Sequence, residues 1–97
     1  MRVIAKRTLR EFWSKHPDAE GSLKAWFAET ENASWQGPAD IKAYYRSASL
    51  LGDNRAVFNI CGNKYRLVVK VNYQAAIVLV RFIGTHKEYD GINAGVI

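Results

Sequence analysis

Apolar residues recur at i, i+3 and i+4 through the first half of the chain, the spacing that places side chains on one face of a helix. Pro17 and Pro38 suit the first positions of a second and a third helix. The pattern predicts helices over residues 4–15, from Pro17 to about residue 31, and from Pro38 onward. Their apolar stripes are Leu9, Phe12 and Trp13, then Leu23, Trp26 and Phe27, then Ile41, Tyr44, Tyr45 and Ala48.

Turns and strands are predicted from the remaining pattern. The segment 32–37 is predicted to be a turn in which Trp35 plugs the core, and residues 51–54 a second turn. From Arg55 the apolar residues alternate and β-branched side chains dominate, which predicts strands over residues 55–61, 64–72 and 76–84. Gly62-Asn63 and Tyr73-Gln74 are the predicted hairpin turns. After His86 we expect at most a short helix.

The two turns define a register for an antiparallel sheet. In the first hairpin Asn59 faces Arg66, and in the second Arg66 faces Arg81. One sheet face is then almost entirely apolar and ready to receive the helices, so the predicted fold is α+β, with N-terminal helices packed on one side of a small antiparallel sheet. The apolar face consists of Phe58, Ile60, Tyr65, Leu67, Val69, Val71, Val78, Val80 and Phe82. The opposite face collects Arg55, Asn59, Lys64, Arg66, Lys70 and Arg81.

Composition and charge narrow the class of protein. The chain has 97 residues, 48% of them hydrophobic, which we interpret as one folded domain over residues 1–97. The charged N-terminus lacks the apolar run of a signal peptide, and no segment is long enough to span a bilayer. With a single cysteine, we expect a soluble cytoplasmic protein without a membrane association. The net charge of +5 favours a polyanionic partner.

The predicted pairing of Arg66 with Arg81 indicates phosphate binding. Like charges that face each other across a sheet destabilise it, whereas an anion between two guanidinium groups would reverse that effect. The alternative is that Arg81 pairs with an acidic residue such as Glu11, Glu88 or Asp90. Arg55 and Lys70, nearer the rim, are expected to be solvated or to make general nucleic-acid contacts.

The segment that follows the last predicted strand carries the side chains best suited to acid–base chemistry. His86 can donate or accept a proton near neutral pH, Lys87 can stabilise a phosphate, and Tyr89 can stack on a base or assist proton transfer. The other histidine, His16, is expected to be structural or exposed. With two histidines and one cysteine, no metal site and no cofactor are predicted.

Three segments carry a resemblance to a known family. The runs Asn54–Ile60, Gly62–Val69 and Arg81–Asp90 closely resemble the HigB family of toxins, which belongs to the RelE-like group of bacterial toxin–antitoxin systems. Arg2-Val3-Ile4 and the region around Trp13 are also similar to that family. The resemblance therefore covers nearly the whole chain.

The resemblance implies a small α+β toxin that cleaves mRNA on translating ribosomes. It also implies neutralisation by a HigA-type antitoxin with a helix-turn-helix domain, so that operator DNA is contacted only through the antitoxin. The positions that match the family's working residues are Arg66, His86, Lys87 and Tyr89, followed by Lys64 and Arg81. Together with the predicted register, they give Arg66, His86, Lys87, Tyr89 and Arg81 as the expected catalytic residues, and Arg55, Asn59, Lys64 and Lys70 as the expected RNA-binding residues. A binding module without chemistry, or a toxin that inhibits another target such as a topoisomerase on the same scaffold, remains the alternative.

Overall fold

The computed structural model describes all 97 residues, which form four α-helices and one five-stranded sheet. The helices are α1 (Lys6–Lys15), α2 (Glu20–Glu31), α3 (Pro38–Tyr44) and α4 (His86–Asp90), with a 3₁₀ turn at Pro17–Ala19. The strands are β1 (Arg2–Ile4), β2 (Ser49–Leu51), β3 (Arg55–Ile60), β4 (Tyr65–Asn72) and β5 (Ile77–Thr85). No helix is long and apolar enough to cross a membrane.

The sheet has the order β1-β5-β4-β3-β2, with every neighbouring pair antiparallel except β1 and β5. The three predicted strands are confirmed as its centre. The two edge strands were missed, because each has only three residues and so offers no alternation to detect. Because residues 2–4 form β1, α1 begins at Lys6 rather than at residue 4. Leu51, predicted to begin a turn, is instead the last residue of β2.

The helices cover one face of the sheet, as predicted. Leu9 of α1, Trp26 of α2 and Ile41 of α3 are buried against Phe58 and Leu67 in one hydrophobic cluster. Trp35 plugs this core from the loop after α2, where its ring stacks on Phe58 at a centroid distance of 6.3 Å. The stripe predicted for α3 is only partly right, because the helix ends at Tyr44 and that side chain is 62% exposed.

The first central hairpin has the predicted register. Asn59 faces Arg66, Val57 faces Val68 and Arg55 faces Lys70, as the Gly62-Asn63 turn requires. Gly62 has a φ of 67°, in the left-handed region where glycine has no steric cost.

The predicted register of the second hairpin is wrong. Arg66 faces Gly84, not Arg81, and the register shifts by one residue between Val68 and Val69. The connection is a four-residue turn over 73–76 rather than Tyr73-Gln74, and a bulge in β5 leaves Arg81 without a partner in β4. The bulge also moves Phe82 off the predicted apolar face, so that it pairs with Val68 on the other side.

Candidate functional site

The sheet face turned away from the helices is called the basic face here. It carries the side chains Arg55, Val57, Asn59, Arg66, Val68, Lys70, Leu79 and Phe82. Its centre is not open to solvent, because Val57 and Val68 are buried. Ile97 also reaches this face, where its carbonyl accepts a hydrogen bond from Arg55 Nε of β3 at 2.8 Å. The cationic groups therefore divide between two ends of the face.

At one end, called the α4 end, strand register brings Arg66 next to the start of α4. Gly84 lies directly opposite Arg66, and Thr85 follows it as the N-cap of α4. His86, Lys87 and Tyr89 all belong to this helix. The observed register thus brings the backbone of Arg66 opposite a residue two positions before His86, whereas the predicted register would have placed it opposite Arg81, five positions before His86.

The Arg66 side chain at this end has no carboxylate partner. Its guanidinium donates hydrogen bonds to the Asn63 carbonyl at 3.1 Å, to Asn63 Oδ1 at 3.1 Å and to the Tyr65 carbonyl at 3.3 Å. These neutral oxygens orient the group without cancelling its charge. A half-buried guanidinium held in this way keeps its charge available for an anion.

A capping box holds α4 in place. The Thr85 hydroxyl accepts a hydrogen bond from the Glu88 backbone N–H at 3.1 Å, and Glu88 Oε1 accepts one from the Thr85 N–H at 2.8 Å. The pKa of Glu88 is lowered, first by the hydrogen bond from the Thr85 backbone N–H to its carboxylate and then by the Thr85 side chain. The His86 N–H donates to the Lys64 carbonyl at 3.2 Å, which ties the start of α4 to the first hairpin.

The side chains of α4 are free to take part in chemistry. His86 is exposed, and its Nδ1 lies 3.3 Å from Asp90 Oδ2, so that carboxylate can select the ring tautomer. Lys87 is exposed and forms no ion pair. The half-buried ring of Tyr89 lies 6.5 Å from the ring of Phe82. The arrangement offers a proton donor or acceptor, an ammonium and an aromatic ring within one turn and a half of helix.

Gly84 is a residue of this end that sequence reasoning missed. A Cβ at this position would lie 2.6 Å from Phe82 Cζ and 3.0 Å from Glu88 Oε1. A Cβ here would require the tip of the Phe82 ring to shift, so glycine permits this close approach to the strand opposite Arg66. The capping box itself was missed as well, although its Thr-x-x-Glu spacing is a readable sequence signal.

At the other end of the basic face, called the Asp53 end, the cations are engaged within the chain. Arg55 is 8% exposed and donates to Asp53 Oδ2 at 2.7 Å, and Lys70 Nζ lies 3.2 Å from the same oxygen. The two bonds, that from Arg55 first, lower the pKa of Asp53. The expectation of a solvated Arg55 at the rim is therefore wrong, because its side chain is used to anchor Asp53 and Ile97.

The side chains of three further predicted residues have other surroundings. Arg81 is exposed, forms no ion pair with Glu11, Glu88 or Asp90, and lines a shallow cavity of about 240 Å³ with Lys70 and Leu79. Lys64 is paired with Asp18 of the 3₁₀ turn rather than lying on the basic face. Asn59 is half-buried opposite Arg66. No cluster of three or more His, Cys, Asp or Glu side chains is placed to hold a metal ion.

A basic sheet face backed by N-terminal helices is the architecture of the RelE-like toxins. The model of the HigB toxin family, described as the RelE-like toxic component of a toxin–antitoxin system, matches residues 19–92. The chain belongs to this family.

Three relatives support the assignment over nearly the full length. They are the mRNA interferase toxin HigB of Escherichia coli K12 and the proteins named mRNA interferase HigB in E. coli O157:H7 and Shigella flexneri. Each is 29% identical over 96 residues, which cover 97% of this chain and 92% of the relative.

Proposed function

We propose that this toxin is an endoribonuclease that cleaves mRNA on the ribosome in the cytoplasm and thereby stops translation. The observation that carries the proposal is the pairing of Arg66, whose guanidinium has no carboxylate partner, with Gly84, two residues before His86 at the start of α4. The three relatives are named mRNA interferases, which supports mRNA as the target.

The chemistry requires only groups that the α4 end supplies. When the 2′-hydroxyl of the RNA attacks the adjacent phosphate, a base removes its proton, an acid protonates the leaving 5′-oxygen, and cations stabilise the extra negative charge. Arg66 and Lys87 are the proposed cations, and His86 and Tyr89 the proposed proton carriers. This mechanism needs no metal ion or other cofactor. Of the other predicted RNA contacts, Asn59 lies opposite Arg66 and Arg81 is exposed, and these two are proposed to extend the site. Arg55, Lys64 and Lys70 are paired with carboxylates of the chain and are expected to contribute little.

We further propose that a HigA-type antitoxin neutralises the toxin. A chain with a net charge of +5 and an exposed cationic site is complementary to an acidic segment of a partner. Such a segment would compete with RNA for Arg66 and Lys87.

The test is to express wild-type toxin, Arg66→Ala and His86→Ala in cells and map mRNA 5′ ends during growth arrest. Arg10→Ala is the matched control, because Arg10 is an exposed arginine of α1 without an ion pair. We expect new, codon-linked 5′ ends with the wild type and the control, and none with the two site variants. Growth arrest with intact mRNA would instead support a toxin that binds another target.

A further inference from the structure

A second surface pocket lies on the helical side of the molecule and takes no part in the proposed cleavage. It is a cavity of about 340 Å³ between the end of α2, the following loop and the end of α3, lined by Glu29, Asn32, Ala33, Trp35, Tyr44 and Tyr45. Trp35 and Tyr45 both pack on Phe58, which faces the helices. The pocket is therefore separated from the basic face by the sheet.

Three aromatic rings form a continuous wall of this pocket. The Trp35 and Tyr45 rings are 6.4 Å apart at 82°, and the Tyr45 and Tyr44 rings are 4.8 Å apart at 65°. Trp35 is 5% exposed at the base, Tyr45 is half-buried, and Tyr44 is exposed at the rim. Aromatic faces attract cations, and tryptophan and tyrosine do so more strongly than phenylalanine.

A carboxylate without a cationic partner lies beside these rings. Glu29 accepts hydrogen bonds from the Tyr45 hydroxyl at 2.6 Å and from the Tyr44 hydroxyl at 3.0 Å. It forms no ion pair, although the chain has fourteen lysines and arginines and pairs Glu11, Asp18, Glu20 and Asp53 with them. The two phenols fix the carboxylate in position but leave its charge uncompensated.

We propose that this pocket receives an arginine side chain from a partner protein. A guanidinium group can stack on the aromatic wall and donate hydrogen bonds to Glu29, and these are the two interactions that the pocket offers. The negative charge of Glu29 also attracts a cation locally, although the net positive charge of the chain repels cations elsewhere.

The exposure of the lining residues favours a side chain of a protein over a free small molecule. Glu29, Asn32 and Tyr44 are exposed, and only Trp35 is buried. Sites for small molecules bury 70–90% of the ligand, whereas this pocket is open on one side. A side chain presented by a partner brings its own surface to close that opening.

The test is an NMR titration of the folded toxin with the peptide acetyl-Ala-Arg-Ala-amide. The indole N–H signal of Trp35, assigned with Trp35→Phe, reports occupancy at the base of the pocket. We expect a shift of this signal with a dissociation constant of about 1 mM, the scale expected for a ligand of this size. The same peptide with citrulline in place of arginine, which has the shape but not the charge, should produce no shift.

Two variants at exposed positions distinguish the contribution of the carboxylate to peptide binding from that of the aromatic wall. Glu29→Gln should weaken peptide binding about tenfold, and Tyr44→Leu about fivefold. Glu20→Gln is the matched control on the same helix and should bind like the wild type, since Glu20 pairs with Lys24 away from the pocket.

Three results would overturn the proposal: no shift at about 10 mM peptide, equal binding of the citrulline peptide, or equal binding by Glu29→Gln. Tighter binding of tetramethylammonium than of the arginine peptide would also contradict it, because the site would then select a small quaternary cation. None of these results depends on whether the toxin cleaves RNA.

Discussion

The two ends of the basic face carry the same kinds of cationic residue in opposite electrostatic situations. At the Asp53 end, Arg55 and Lys70 share one carboxylate, and Arg55 is buried. At the α4 end, Arg66 is bonded only to neutral oxygens of Asn63 and Tyr65. The difference indicates that Arg55 and Lys70 stabilise the fold, while Arg66 is available to an anionic ligand.

The comparison teaches that a basic face is not a uniform nucleic-acid surface. A cation already paired with an internal carboxylate must lose that partner before it can neutralise a phosphate, so it contributes little to RNA binding. An arginine oriented by neutral acceptors loses nothing when a phosphate arrives. Site residues are therefore better identified from their partners than from their charge.

The largest expected effect is at the α4 end. We predict that His86→Ala slows mRNA cleavage about 100-fold, because a general acid or base contributes at least that much. The measurement is the cleavage rate in a translation extract. Arg10→Ala is the control, since Arg10 is an exposed residue of α1 without an ion pair and should retain the wild-type rate. An equal loss in both variants would contradict the assignment.

The next largest effect is on stability at the Asp53 end. We predict that Arg55→Ala lowers the free energy of unfolding by about 2 kcal/mol, because a buried side chain and its partly buried hydrogen bonds to Asp53 and Ile97 are lost. Urea denaturation measures this change, and Lys70→Ala, which removes the more exposed partner of Asp53, should cost less than about 0.5 kcal/mol. Similar losses from both variants would show that the buried anchor has no special role.

A smaller effect should follow from releasing the cations of the Asp53 end. We predict that Asp53→Asn strengthens binding to single-stranded RNA about threefold and steepens its salt dependence, because Lys70 can then neutralise a phosphate. Fluorescence anisotropy at several salt concentrations measures both quantities. Unchanged affinity and salt dependence would mean that this end lies outside the RNA path.

The smallest effect concerns the cap of α4. The folded protein holds the pKa of Glu88 below its usual value of 4.5. The stability that the ionised carboxylate adds is therefore fully present above pH 4.5 and is lost as the pH falls through the lower pKa of the folded state. We predict that the wild type melts at a higher temperature than Glu88→Gln near neutral pH, and that the two converge in acid. A difference that does not change with pH would contradict the role of the carboxylate.

The first hairpin was predictable from sequence, and the second was not. Gly62-Asn63 defines a two-residue turn, and alternation on both sides of it leaves one register. In the second hairpin, Ala76 adopts a φ of 57°, a conformation that glycine, asparagine or aspartate would have signalled, and the bulge leaves Arg81 unpaired without a glycine to mark it. This error alone produced the wrong pairing of Arg66 with Arg81.

The candidate site was predictable in its residues but not in its arrangement. His86, Lys87 and Tyr89 are adjacent in sequence, so their grouping needs no knowledge of the fold. Whether a distant cation is free depends on tertiary contacts, such as the pairing of Lys64 with Asp18 across 46 residues. Such contacts leave no periodic signal in the chain.

The most direct test compares the two arginines that were predicted to act as a pair. Single-turnover cleavage is measured on purified ribosomes that carry a short mRNA, with wild type, Arg66→Ala and Arg81→Ala. If the α4 end is the site, Arg66→Ala is slower by about 100-fold and Arg81→Ala by less than about tenfold. Equal losses from the two variants, or full activity of Arg66→Ala, would contradict the account.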